Sequence, residues 1–217
     1  AILPSSNLVK HHADCEYPFR QDSNFWYLTG FDEPDAVALF LSHKPKGERF
    51  ILFVAPKDII GEVWHGFRWG IEGAERYFKA DKAHSINDFE ALLPSYISDS
   101  EEIVFSIGKH SNIEKIVLPI FSNQIECRSR IGTGVNAIKS PEVYLNEMRL
   151  IKNAFEIDRM REATRISAEA HELVRESISS KKNERQIKGL IEGFFLEKGA
   201  RGPAYNSIVA SGDNACI

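Results

Sequence analysis

Two short apolar runs, at residues 36–41 and 50–54, are the most regular hydrophobic pattern in the first half of the chain. Every position in these runs is apolar, which predicts strands covered on both faces rather than strands with one solvated face. The polar connection between them is short and predicts an antiparallel hairpin. Residues 103–105 predict a further strand. The chain opens on apolar residues without an initiator Met, and we expect a strand there rather than a natural terminus.

Apolar residues three and four positions apart predict helices between and after these strands. Ser85 is the expected N-cap of one helix, with Asp88 at its third position. Residues 113–120 predict another helix, which we expect to end near Pro119. The alternation of strands and helices predicts an α/β fold in which a mixed sheet is flanked by helices.

The pattern changes to long helices further along the chain, and we expect a domain boundary between residues 135 and 150. The helix starts are predicted from Ser140-Pro141-Glu142, from Asn153 with Glu156 and from Asn183 with Gln186. An apolar stripe follows at residues 187–195, and Gly199 is expected to end that helix. Residues 207–210 and 215–217 are expected to begin strands.

Composition restricts the class of function. The 217 residues are 43% hydrophobic and 27% charged with a net charge of −4, which gives no reason to expect a nucleic-acid partner. No apolar run approaches the roughly 18 residues that span a membrane, and no basic stretch precedes the apolar start as in a signal peptide. Three cysteines without Cys-x-x-Cys spacing predict a reducing, cytoplasmic setting.

Two segments offer candidate chemistry. Residues 11–16 contain His, Cys and carboxylate side chains, the usual metal donors. The adjacent His11 and His12 would face opposite sides of an extended chain, so we interpret the segment as a polar loop. Residues 62–70 suit a loop that presents aromatic side chains to a ligand or a partner chain. From the residues alone, we prefer the alternative that Trp64 and Trp69 fill the edge of the core.

Several sites of common enzymes are absent from the sequence. There is no nucleophile elbow, no phosphate-binding P-loop and no dinucleotide-binding glycine motif. No residue of the second domain stands out as a metal ligand or a general base.

Two stretches of the sequence resemble a known family. Residues 14–31, DCEYPFRQDSNFWYLTGF, with residues 33–36 after them, are similar to the block EYPFRQxSxFxYLTGFxEPxA in the N-terminal domain of aminopeptidase P. Aminopeptidase P belongs to the creatinase/prolidase, or pita-bread, family (peptidase family M24). Residues 147–152 and residues 202–217, GPAYNSIVASGDNACI, are similar to the sequence that precedes the first catalytic His of this family.

The resemblance implies both an architecture and an activity. The implied domains are a creatinase-type N-terminal domain at residues 1–138, a linker helix at 139–152 and the first part of an α+β pita-bread domain at 153–217. The implied activity is that of an Xaa-Pro aminopeptidase, in which two manganese ions share a hydroxide that attacks the bond before a proline at position two. The implied protein is a cytoplasmic homo-oligomer, a dimer or a tetramer, whose partner is a peptide Xaa-Pro-Yaa rather than nucleic acid or membrane.

The family's metal ligands, two Asp, one His and two Glu, come after the last residue of this chain. The chain is therefore expected to contain no catalytic residue, to bind no metal and to be inactive alone.

The resemblance also assigns substrate-binding positions. Tyr205 matches a residue that lines the pocket for the first residue of the peptide. Trp64 matches a tryptophan that reaches into the active site of a neighbouring subunit, and this match reverses the preference for the core alternative. Asp14 matches an acidic residue at the same edge, and Arg128 or Arg130 a nearby arginine.

Two other functions remain open on the sequence. One is a prolidase that cleaves only dipeptides, although the first block favours the aminopeptidase. The other is a non-catalytic pita-bread relative that binds peptides.

Overall fold

Strands and helices alternate through the first part of the chain, and long helices follow. The computed structural model describes residues 1–178 and 182–216. The chain divides into two units, Ala1–Met148 and Arg149–Ile217. The strands, all in the first unit, are β1 (Ile2–Pro4), β2 (Lys10–His12), β3 (Cys15–Glu16), β4 (Val37–Phe40), β5 (Phe50–Val54), β6 (Lys82–Ser85), β7 (Glu102–Val104) and β8 (Ala137–Lys139). The helices are α1 (Ser23–Thr29), α2 (Glu62–His65), α3 (Gly70–Phe78), α4 (Phe89–Ile97), α5 (Ser111–Ile131), α6 (Glu142–Leu150), α7 (Ala154–Ser177) and α8 (Glu184–Glu197).

The central sheet of the first unit has the strand order β1-β4-β5-β6. β4 pairs antiparallel with both β1 and β5, so the predicted hairpin is confirmed. β6 adds to β5 in parallel. The sheet is therefore mixed, as predicted. β2 and β3 form a separate antiparallel pair, and β7 and β8 form a parallel pair.

Alternate residues of β4 and β5 are buried on opposite faces of the sheet, which confirms the prediction of strands covered on both sides. The first core includes Val37, Leu39, Ile51 and Phe53, and the second includes Ala38, Leu52 and Val54. Helices α4 and α5 contribute Phe89, Leu93 and Val117 to the first core. Helices α1 and α3 contribute Phe25 and Ala74 to the second.

Helix α5 corrects one prediction. It was expected to end near Pro119, yet it runs from Ser111 to Ile131 with this proline inside it. A proline inside a helix costs about 3 kcal/mol because it lacks an N–H group and crowds the preceding turn. The helix continues because residues on both sides of the proline, Val117 and Ile120 among them, pack against the first core.

The start of α4 also differs in detail from the sequence prediction. Ser85 does act as a cap, but its Oγ accepts a hydrogen bond from the Asn87 N–H at 3.2 Å rather than from Asp88. A short 3-10 turn, Ile86–Asp88, precedes the α-helix. The sequence did not predict β6, which ends at Ser85 itself.

The second unit contains the two long helices with the predicted caps. Asn153 and Glu156 form a capping box at the start of α7, and Asn183 and Gln186 form another at the start of α8. Each cap satisfies backbone N–H groups that have no partner within the helix. α8 is followed by Gly199, whose φ of 83° is a left-handed conformation. The predicted stop at this glycine is confirmed.

The strands expected after α8 are not observed among the described residues. Residues 207–210 are irregular, and Gly212–Cys216 is a 3-10 helix. Ile217, the last residue of the expected second strand, lies outside the described residues. A strand needs the backbone of a neighbouring strand to satisfy its hydrogen bonds. The described part of the second unit offers helices and irregular chain instead.

Candidate functional site

Trp64 lies on a loop that follows β5, residues 57–69, which we name the Trp64 loop. The loop is ordered by hydrogen bonds within it: the Ile60 N–H donates to the side-chain Oδ1 of Asp58 at 3.1 Å, and the His65 N–H donates to the Gly61 carbonyl at 3.0 Å. Gly66 closes the single turn of α2 with φ of 77°, a conformation that favours glycine. The turn holds the Trp64 side chain outward, 85% exposed.

Trp69 anchors the end of the Trp64 loop in the protein. Its indole packs with the rings of Phe67, Tyr77 and Phe78 at centroid distances of 5.0, 4.9 and 5.4 Å. It also packs against the second core. The core alternative is thus correct for Trp69 and wrong for Trp64. An indole left in solvent loses the gain from burial that large aromatic side chains usually provide.

A buried carboxylate holds the same end of the loop. Glu33 is only 6% exposed, and its Oε1 accepts a hydrogen bond from the Trp69 backbone N–H at 2.8 Å. Its Oε2 is buried without a hydrogen-bond partner in the described structure. Burial raises the pKa of Glu33, while the hydrogen bond from Trp69 and the charge of Arg68 act in the opposite direction.

Gln21 places Glu33 at this position. Its side chain Nε2 donates to the backbone carbonyls of Phe31 and Glu33 at 3.2 and 2.8 Å, and its Oε1 accepts from the Ser6 N–H at 2.8 Å. Gln21 is buried, so each of these backbone groups would be costly to leave without a partner. The next residue, Asp22, caps α1 by accepting from the Asn24 and Phe25 N–H groups, both at 2.9 Å.

Asp14 lies at the turn between β2 and β3. It is exposed, as are His11, His12 and Cys15. The thiol of Cys15 lies 3.9 Å from Asp14 Oδ1, and the His11 ring packs edge-on against Tyr17 at 4.5 Å. The segment is therefore a polar hairpin at the surface.

The two candidate arginines lie in the last turn of α5. Arg128 is half-buried, and its Nη1 donates to the carbonyl of Gly134 in the loop after the helix. Arg130 is exposed. Arg128 thus stabilises the end of its own helix, whereas the guanidinium of Arg130 faces solvent.

Tyr205 belongs to the irregular segment after α8 and is 77% exposed. Glu184, the first residue of α8, anchors the far end of this segment: its Oε1 accepts from the Ser211 N–H at 2.7 Å and from Asn214 Nδ2 at 3.0 Å. The hydrogen bond from Asn214 is the main cause that lowers the pKa of Glu184. The segment that carries Tyr205 is therefore attached to the helix before it.

The candidate residues of the first unit lie on three different parts of the fold. Trp64 lies on α2, Asp14 at the turn between β2 and β3, and both arginines on α5. No hydrogen bond or ion pair joins these three places in the described structure. Among the described residues, no three His, Cys, Asp or Glu side chains are grouped so that they could hold a metal ion. No helix in residues 1–178 or 182–216 is long and apolar enough to cross a membrane.

Comparison with protein families finds one match within each unit. Residues 1–105 match the family of aminopeptidase P N-terminal domains, and residues 158–217 match metallopeptidase family M24. The chain belongs to the aminopeptidase P group of family M24. The fold expected for this group is confirmed over the whole chain by the solved structures below.

Relatives of the aminopeptidase P group match all of this chain. The Xaa-Pro aminopeptidase of Haemophilus influenzae is 37% identical over 100% of this chain and 48% of its own length. That of Escherichia coli is 32% identical over 100% of this chain and 49% of its own length. The chain therefore spans about half the length of the curated relatives that it matches.

Two solved structures show how closely the fold is shared. The Pseudomonas aeruginosa aminopeptidase PepP has a TM-score of 0.91 at 33% identity, covering 99% of this chain and 48% of that one. Zn-substituted E. coli aminopeptidase P in complex with product has a TM-score of 0.92 at 31% identity, covering 100% and 49%.

Sequence reasoning missed the roles of Gln21 and Glu33. Both lie in the block that resembles aminopeptidase P, but the resemblance assigns them no contact. A polar side chain in an otherwise unremarkable loop gives no pattern from which burial can be inferred. The only signal was local: Gln21 directly precedes a helix cap, and Glu33 directly precedes Pro34.

Proposed function

We propose that the protein containing this chain is an Xaa-Pro aminopeptidase, which removes the first residue from peptides with proline in position two. The observation that carries this proposal is the match along all of the chain, in sequence and in fold, to relatives that are named for this activity. The substrate class is a peptide Xaa-Pro-Yaa.

The residues present in this chain contribute to substrate binding in this proposal. Tyr205 lines the pocket for the first residue of the peptide, and its 77% exposure leaves the ring available for that contact. Trp64, 85% exposed, reaches into the site of a neighbouring subunit. Asp14 lies at the same edge of the subunit. Arg130 is the better candidate for the nearby arginine, since Arg128 already donates to Gly134.

The cofactor in this proposal is a pair of manganese ions in the full-length protein. The described residues do not fit such a pair, because no three of their metal-binding side chains are grouped together. In this proposal, as the family resemblance implies, the ligands lie outside the described residues. When bound, such ions supply a hydroxide nucleophile at neutral pH and polarise the peptide carbonyl.

The wider setting is a homo-oligomer, a dimer or a tetramer, in the cytoplasm. The three cysteines support a reducing compartment, since Cys15, Cys127 and Cys216 are all exposed and free. The proposed domains are residues 1–138, a linker helix at 139–152 and residues 153–217. The division between Met148 and Arg149 falls inside the proposed linker.

The proposed activity predicts a strong preference for proline. The full-length protein with manganese is expected to release arginine from Arg-Pro-Pro roughly ten times faster, or more, than from the matched peptide Arg-Ala-Pro, because a pocket shaped for one residue rejects others by such factors. Amino-acid analysis measures the release. Cleavage of the dipeptide Arg-Pro without cleavage of Arg-Pro-Pro would indicate a prolidase. Binding of Arg-Pro-Pro without cleavage would indicate a non-catalytic relative. Either result contradicts the proposal.

A further inference from the structure

Glu33 is placed where a carboxylate is unfavourable for the fold. Its side chain is nine-tenths buried, and within the described structure only one of its two carboxylate oxygens has a hydrogen-bond partner. Burial of a charged group without full pairing costs free energy, which is why most buried carboxylates have several donors. The stabilisation of the first unit alone does not account for a carboxylate at this position.

The hydrogen-bond donor to Glu33 indicates the role of its carboxylate. Trp69 is the last residue of the Trp64 loop, and its backbone N–H is the donor to Glu33 Oε1 at 2.8 Å. Helix α3 begins at the next residue, Gly70, which has φ of 64°. A Cβ at that glycine would lie 2.8 Å from the Lys57 side chain, so the two ends of the loop approach closely at this point.

The backbone of Glu33 is itself fixed from the other side. Gln21 Nε2 donates to the Glu33 carbonyl at 2.8 Å, and Gln21 is buried. A continuous series of contacts therefore leads from Gln21 through Glu33 to Trp69. The Trp64 loop is attached through this series to the segment that carries the aminopeptidase P resemblance.

Two of the charged groups that act on Glu33 belong to the Trp64 loop. Arg68, inside the loop, attracts the carboxylate, while Asp32 and Glu62 repel it. Glu62 belongs to α2, the turn that carries Trp64, and its Oε1 is likewise buried without a partner. Thus the groups that act on Glu33 include two from the loop, Arg68 and Glu62. A displacement of the loop would alter the surroundings of both buried carboxylates.

We propose that Glu33 is a positioning residue that seats the Trp64 loop through the Trp69 N–H, so that Trp64 is presented in a fixed orientation. This inference rests on the proposed function for the effect of Glu33 on catalysis, but the seating of the loop can be measured without activity. Because Trp69 is fixed by both its indole and its backbone, the indole packing holds the residue in place while Glu33 fixes the direction of the chain.

Three variants of the full-length protein test the seating. Glu33→Ala removes the acceptor, Glu33→Gln keeps an oxygen that can accept from the Trp69 N–H, and Asp35→Asn is the matched control. Asp35 is also close enough to Arg68 to feel its charge, but no hydrogen bond joins it to the loop in the described structure. Amide hydrogen exchange, resolved by fragmentation and mass spectrometry, reports the Trp69 N–H and the amides of residues 60–66 directly.

Exchange at Trp69 is expected to be about tenfold faster in Glu33→Ala, since a lost hydrogen bond to a charged acceptor commonly changes an opening equilibrium by that factor. In Glu33→Gln, exchange of the Trp69 N–H is expected to be nearly as slow as in the parent protein. In Asp35→Asn, exchange of the Trp69 N–H is expected to be unchanged. Amides of β5, exchanging slowly in every variant, establish that the fold is intact. Unchanged exchange at Trp69 in Glu33→Ala would overturn the proposal.

A double-mutant cycle then separates positioning from general destabilisation. If Glu33 acts on catalysis through Trp64, Glu33→Ala should lower kcat/KM in the parent protein but not in the Trp64→Ala protein. Losses that multiply instead would overturn the positioning role. If Trp64→Ala alone leaves kcat/KM unchanged, the proposed function of Trp64 is wrong. Faster exchange at Trp69 in Glu33→Ala would support the seating of the loop even then.

Discussion

Trp64→Ala in the full-length protein is expected to lower kcat/KM for an Xaa-Pro peptide about 30-fold. Removal of a well-packed aromatic side chain at an interface typically costs on the order of 2 kcal/mol, which corresponds to about that factor when the loss falls on the transition state. Because Trp64 is 85% exposed, its removal should leave the stability of the first unit unchanged. Steady-state kinetics and thermal unfolding measure the two effects on the same samples.

Trp26→Ala provides the matched control for the change at Trp64. Trp26 is also an exposed tryptophan of the first unit, 55% exposed on α1, and it lies outside the Trp64 loop. Its removal should leave kcat/KM unchanged. Equal effects of the two substitutions would show that Trp64 has no special role, and a lower melting temperature only in Trp64→Ala would point to a structural role.

A protein made of residues 1–217 alone is expected to have no manganese-dependent peptidase activity. General acid–base chemistry and a metal-bound nucleophile need groups that the described residues do not bring together. The full-length protein should lose its activity completely when a chelator removes the metal, and added manganese should restore it. The measured quantity is arginine release from Arg-Pro-Pro. It is compared among residues 1–217 alone, the full-length protein with chelator and the full-length protein after manganese is added back.

The control for this expectation is that the shorter protein is folded. Circular dichroism should report the helices and strands described above, and amides of β4 and β5 should exchange slowly because both strands are buried. Proline-dependent release of arginine above the level of a contaminant control, in a folded sample, would contradict the expectation.

The buried strands were the easiest part of the fold to predict from sequence. β4 and β5 are apolar at every position because both faces of the sheet are covered, and this pattern differs clearly from that of a half-exposed strand. The capping boxes of α7 and α8 were equally clear, since cap chemistry is local. Local rules of this kind do not depend on the rest of the structure.

Predictions failed where distant contacts decide the outcome. Pro119 is a local signal for the end of a helix, yet α5 passes through it because Val117 and its neighbours pack on a core assembled from other segments. Residues 207–210 have the composition of a strand but no neighbouring strand in the described structure. Neither outcome can be read from the residues within a few positions of the site.

The candidate site also combines features that the local sequence indicates with contacts between distant residues. Exposure of Trp64 follows from a loop with Gly61 and Gly66 on either side, but the sequence alone favoured the core, and only the resemblance suggested otherwise. The contact between Glu33 and Trp69 spans 36 positions and has no sequence pattern. The carboxylate is identified as a support of the loop only by its geometry.

The most direct test of the account mixes two impaired forms of the full-length protein: Trp64→Ala, and a variant that lacks the metal ligands. If each site takes Trp64 from one subunit and its metal ions from another, mixed oligomers should be severalfold more active per metal-containing subunit than Trp64→Ala alone. Native mass spectrometry establishes that the subunits have exchanged. Exchange without any gain in activity would contradict the account, because Trp64 would then serve only its own subunit.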